Sequence, residues 1–106
     1  MRWIGLGVIA LAAGLGASEA LAQSYNCGRA STPDEVLICQ EPDLSRLDEE
    51  LADLYFAARN GLRGRARSEI EREQSAWLRA RMRCGRDYIC IDDLYRDRIA
   101  ELRTYF

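Results

Sequence analysis

The sequence predicts an all-α fold, a small disulfide-stapled helical hairpin or three-helix bundle with a short N-terminal helix. Three observations predict it. Apolar residues recur at spacings of three and four along successive stretches. Glycines and prolines fall between those stretches. Four cysteines, an even number, stand in a chain of 106 residues that opens on a secretory-type leader.

The leader comes first. Arg2 supplies a positive start, Ile4 to Gly16 is a run of apolar and small residues, and Ala20-Leu21-Ala22 is a cleavage pattern, so Gln23 is the expected first mature residue. A retained anchor would need ~20 apolar residues to span a bilayer, which is more than this run offers. Lipid attachment is not expected either: Cys27 lies four residues past the cleavage site, behind Ser-Tyr-Asn and not a small-residue lipobox. Residues 23–106 then form one domain. A domain of that size buries only about 60% of its unfolded surface, so cross-links matter.

Residues 23–31 read as an irregular lead-in containing Cys27 and Gly28. Thr32-Pro33-Asp34-Glu35 reads as a helix start: Thr32 caps, Pro33 suits the first helical position, and Glu35 completes a capping box. Pro42 ends this short helix, with Cys39 near its end. Asp43 is the next cap candidate. Leu44, Leu47, Leu51, Leu54 and Ala58 follow at spacings of 3, 4, 3 and 4, with Tyr55 beside them. They define one stripe on a helix of about 17 residues, or ~26 Å. Gly61 and Gly64 punctuate its end. The second long helix, about residues 65–83, carries Ala66, Ile70, Gln74, Trp77, Leu78 and Arg81, a stripe with two polar members. After a loop at Gly85-Arg86-Asp87, the last helix runs from about Ile89 to Arg103, with Ile91, Leu94, Tyr95, Ile99 and Leu102 on one side.

Short connections make sequential helices antiparallel neighbours. In that topology Cys39, Cys84 and Cys90 gather at one end, within reach of Cys27. Three pairings remain open on sequence; the one adopted as the expectation is the two local loops, Cys27–Cys39 and Cys84–Cys90.

The net charge of −2 excludes little, but its distribution is uneven. From Asp34 to Asp53 there are eight acids and one Arg; from Arg59 to Arg86 there are nine Arg and three Glu. The plain reading is two oppositely charged helices that attract each other. The sharper one is an acidic face aimed at a cationic partner. An acidic, exported chain argues against nucleic acid as that partner.

The chain contains neither His nor Lys, which removes the usual general base at neutral pH and a Schiff-base amine. The cysteine spacings do not suit zinc. Catalysis, metal binding and cofactor binding are therefore not expected. Two carboxylates cleaving a glycan is the one catalytic alternative. Asp48 flanks the first long stripe, level with about Arg79 to Arg81 on the second long helix. The register predicts a partly buried Asp48–Arg81 pair, open to sharing with Arg98. Trp77, Tyr55 and Tyr95 read as core aromatics, and Gln74 as a hydrogen-bonding group across the helices.

Taken in order, these residues resemble the LprI-type, lysozyme-inhibitor-like family of secreted bacterial domains. The resemblance is carried by Cys27, Glu35, Ile38-Cys39, Leu44, Leu47-Asp48, Tyr55, Gln74, Trp77-Leu78, Arg81, Cys84, Cys90, Tyr95, Arg98-Ile99 and Leu102, which cover nearly all of the expected mature chain. The chain departs from lipid-anchored members in lacking their attachment cysteine. The resemblance implies an exported helical domain, some of whose relatives inhibit lysozyme. The expected function is thus a non-enzymatic periplasmic or secreted binding domain that inhibits lysozyme-type cell-wall hydrolases. Glu41, Asp43, Glu49, Glu50 and Asp53 are the candidate partner-binding acids. The alternative is an envelope accessory domain that binds another exported protein without inhibiting lysozyme. No loop stands out in the sequence as a plug for a catalytic cleft.

Overall fold

The computed structural model describes Leu21–Ala22 and residues 25–106. Apart from Leu21 and Ala22, the leader lies outside the described residues, as does Gln23. Two two-residue strands, β1 (Leu21–Ala22) and β2 (Tyr25–Asn26), pair antiparallel with Ala22 opposite Tyr25. A 3₁₀ turn at Cys27–Arg29 follows. The lead-in is therefore more regular than the sequence suggested. Four helices complete the chain: α1 (Pro33–Gln40), α2 (Pro42–Gly61), α3 (Gly64–Arg83) and α4 (Tyr88–Arg103).

Local chemistry sets each boundary. Glu35 accepts hydrogen bonds from the Ser31 and Thr32 N–H groups at 3.0 and 3.3 Å, closing the start of α1. The start of α2 differs from expectation. Asp43 is not its cap: Pro42 occupies the first helical position and extended Glu41 precedes it, the Glu41 carbonyl accepting from Ser45 N–H at 3.0 Å. Proline, with no N–H to satisfy and a preset φ, is better suited to that position than to being skipped. Asp43 pairs instead with Arg46 one turn on. Gly64 (φ +57°) and Gly85 (φ +60°) take the left-handed backbone at the next two corners. At the start of α4 the Asp87 side chain accepts from Cys90 N–H at 3.1 Å.

The long helices run up, down and up. Between α2 and α3, Arg59 meets Glu71 at 2.7 Å and Asp48 meets Arg81 at 3.8 Å, so residue numbers fall on one helix as they rise on the other. Between α3 and α4, Trp77 Nε1 donates to the Leu94 carbonyl at 3.0 Å and Arg98 Nε donates to Gln74 at 3.0 Å, again antiparallel. The core between them holds Leu44, Leu51, Ile70, Ile91, Tyr95 and Leu102, closed on one side by Leu37 and Ile38 of α1. The simple picture of an acidic helix attracting a basic one needs correction. Asp48–Arg81 has that polarity, but the surface pair Arg59–Glu71 reverses it. The exposed arginines of α3 mostly face water, where they are better solvated.

Disulfides join Cys27 to Cys39 and Cys84 to Cys90. The first ties the lead-in to α1; the second closes the turn between α3 and α4. Arg86, in that turn, donates to the Gln40 side chain at 3.0 Å, so both cross-linked segments sit at the same end of the bundle.

Candidate functional site

At the cross-linked end of the core lies a group of polar side chains with almost no exposure: Asp34 at 1%, Asp48 at 1%, Arg81 at 4% and Tyr95 at 0%. Arg81 sits at its centre. Its Nε donates to Asp34 Oδ2 at 2.8 Å and its Nη1 to the Tyr95 hydroxyl at 3.1 Å. The Tyr95 hydroxyl in turn donates to Asp48 Oδ1 at 2.8 Å. The guanidinium carbon stands 5.6 Å from the Tyr25 ring centre and 5.7 Å from that of Trp77. Two carboxylates, a phenol and two ring faces thus surround one cation, the arrangement a desolvated charge requires.

The backbone explains the convergence. Pro33 and the Glu35 bonds fix the first turn of α1 so that Asp34 faces α3. Asp48 and Arg81 are level because α2 and α3 are antiparallel. Tyr95 lies across from both because α4 returns beside α2. Tyr25 is held over the cluster by its hydroxyl, which donates to the Glu35 carbonyl at 2.8 Å, and by the Cys27–Cys39 link.

The expected Asp48–Arg81 pair therefore needs revising. It is fully buried, not partly so, and the shortest acidic partner of Arg81 is Asp34; Tyr95 bridges Arg81 to Asp48. Arg98, further along α4, is itself buried and bonds buried Gln74 and, through Nη1, the exposed Glu101 at 3.2 Å, with exposed Glu73 at 3.8 Å. Trp77 is buried edge-on against Tyr95, ring centres 5.0 Å apart. Tyr55 is half-buried, packs against the core and meets Phe56 edge-on, and it lines one cavity with Tyr25 and Arg81. Asp34 and Tyr25 were missed as site residues. An acid in the first turn of a helix reads as a complement to the helix dipole, and no periodic signal reveals what α1 rests on.

The five acids proposed for partner binding are spread along α2 and the residue before it. Glu41 and Asp43 lie at the cross-linked end, Glu49 and Asp53 are exposed along α2, and Glu50 pairs with Arg103 of α4.

Electrostatics follow from the packing. Burial alone would raise the Asp34 pKa, but hydrogen bonding and the Arg81 charge outweigh it and hold the carboxyl below its usual range. Backbone N–H donation from Ser31 does the same for Glu35, against partial burial. Burial pushes the Tyr95 hydroxyl far up, helped by the Asp48 charge, so it stays a protonated donor. The pH consequence has a definite sign. A depressed folded-state pKa contributes stability that is complete above the unfolded carboxylate value of about 4 and is lost as pH falls through the folded value. The melting temperature is expected to hold steady near neutrality and drop on acidification below about pH 4. Glu35→Gln should flatten part of that drop; an unchanged acid limb would refute the assignment.

Among the described residues there is no group of three His, Cys, Asp or Glu side chains placed to hold a metal ion, and no helix long and apolar enough to cross a membrane. Fold and site together define a disulfide-stapled helical domain whose buried charged groups bond one helix to another.

Comparison with known proteins places that domain. The profile of the lysozyme inhibitor LprI family matches residues 26–102, and the chain belongs to that family. It is similar to the lipoprotein LprI of Mycobacterium bovis and to those of two strains of Mycobacterium tuberculosis. Each is 31% identical over 113 aligned positions covering 96% of this chain. The chain spans only 56% of the length of these relatives. No solved structure matches.

Proposed function

We propose that this protein is exported, loses residues 1–22 after Ala22, and acts outside the cytoplasm as a non-catalytic inhibitor of a lysozyme-type cell-wall hydrolase. The observation that carries this reading is the family match, which takes in all four cysteines, Asp34, Asp48, Arg81 and Tyr95. Two physical arguments support it. The disulfides belong to an oxidising compartment. The buried carboxylates Asp34 and Asp48 are engaged by Arg81 and Tyr95, which suits a structural role.

Surface acids supply the long-range attraction to the partner. Glu49 and Asp53 on α2, with Glu41 and Asp43 at its start, would steer a cationic enzyme and raise the association rate. The test is the clearing of a bacterial cell-wall suspension by hen lysozyme. The added protein is produced from the full chain in an exporting host. Slowed clearing is expected at near-equimolar protein, weakening as salt is raised. Undiminished clearing at a large molar excess would rule the reading out in favour of an envelope accessory role.

A further inference from the structure

We infer that the cavity between the middle of α3 and the end of α4 binds a neutral sugar unit, with Arg98 as the donor at its floor and Glu73 and Glu101 as acceptors at its rim. The inference stands apart from the inhibitor reading, and its test needs no hydrolase.

The cavity has a volume of about 560 Å³, within the range of small-molecule sites. Trp77, Arg98, Glu73, Glu101, Thr104 and Tyr105 line it. Arg98 is only 5% exposed. Its Nε donates to Gln74 at 3.0 Å, and its Nη1 stands 3.2 Å from Glu101 and 3.8 Å from Glu73. Both of those acids line the cavity, so the guanidinium ends at its floor. Arg98 Nη2 is buried there without a hydrogen-bond partner among the described residues. A buried donor left open is costly and calls for an acceptor. The two carboxylates leaning over the guanidinium belong to exposed side chains, which can turn from Nη1 to an incoming ligand and uncover Nη2.

The mixture of groups names the ligand's chemistry. A free anion drawn to Nη2 would meet both carboxylates. A cation held by the carboxylates would leave Nη2 as it is. The cavity suits a neutral molecule that donates and accepts at once, and a hydroxyl does both. Neighbouring hydroxyls on a pyranose ring match a guanidinium beside two carboxylates: an oxygen accepts from Nη2 while the protons go to Glu101 and Glu73, all charge-assisted bonds. The C–H face of such a ring is apolar, and Trp77 and exposed Tyr105 give the cavity an aromatic wall. A lone water would satisfy Nη2 but leave that wall uncovered.

The experiment titrates cellotriose and, separately, chitotriose into the exported full-chain protein and follows the emission of Trp77, the one tryptophan in residues 23–106. A saturable change is expected with at least one of the two sugars. Glu101→Gln removes a charged acceptor, and Tyr105→Ser removes the outer aromatic. Both positions are exposed, so both variants should melt as the parent does. Each should raise the half-saturating sugar concentration roughly tenfold. Phe56→Ser, which removes an exposed aromatic on α2 outside this cavity, should leave it unchanged. No saturable response to either sugar, the result for a cavity holding water alone, overturns the inference. Equal binding by parent, Glu101→Gln and Tyr105→Ser overturns it as well.

Discussion

Arg81→Ala is expected to be the most damaging single substitution in the domain, costing about 3–5 kcal/mol. The loss is not that of one salt bridge. Arg81 is the cation facing Asp34 and Asp48, both about 1% exposed, and one oxygen of Asp34 is already buried without a hydrogen-bond partner. Removing the guanidinium leaves two carboxylates desolvated and without their cation, although the Tyr95 hydroxyl still donates to Asp48. Against a total stability of ~5–15 kcal/mol this lowers the melting temperature by ~12 °C or more, or prevents folding. Asp34→Ala added to Arg81→Ala should cost little further, because the stranded charge goes with it. Circular-dichroism melts at neutral pH give the answer. A fall of only a degree or two for Arg81→Ala would mean that the buried cluster does not form.

The second large effect is expected on removing the Cys27–Cys39 bridge by the double change Cys27→Ser and Cys39→Ser. The bridge spans 12 residues of sequence, which the chain-entropy account values at ~3 kcal/mol. It also holds Tyr25, whose ring covers Arg81. Loss of the strap admits water to the most heavily desolvated charges in the molecule. The double variant should therefore melt well below the parent, and lower than the corresponding Cys84/Cys90 variant, whose loop spans only 6 residues. Equal melting of both variants would show that the lead-in does not shield the cluster.

The helices were legible because each long one has a large apolar side to bury, and burial writes a period into the sequence. Leu44, Leu51 and Ala58 declare α2 in that way; Ile91, Tyr95, Ile99 and Leu102 declare α4. The polar members of the α3 stripe were legible too, since Gln74 and Arg81 stand where an apolar residue would otherwise be. Their partners were harder to read. Asp34 and Arg81 are 47 residues apart, and α1 is too short for a stripe to show which side it buries. Tyr95 looked like a core aromatic and is one, but its hydroxyl also bridges a cation and an anion. That role depends on the angle at which α4 crosses α2, and no local pattern encodes it. Nor did the sequence show which acids of α2 are paired: Asp43 meets Arg46, and Glu50 meets Arg103 of α4.

Both covalent links lie at one pole of the bundle, and each is short in sequence. The opposite pole, where Gly61, Leu62, Arg63 and Gly64 turn the chain from α2 into α3, is closed without a disulfide, by side-chain packing, the bonds of Glu71 to Arg59 and Arg67, and the Leu62 N–H to the Arg59 carbonyl. Amide protons should therefore exchange along a gradient, fastest at that corner and slowest beside the sulfurs. Thermal fluctuations would splay the hairpin from its free tip while the clasped pole keeps its shape.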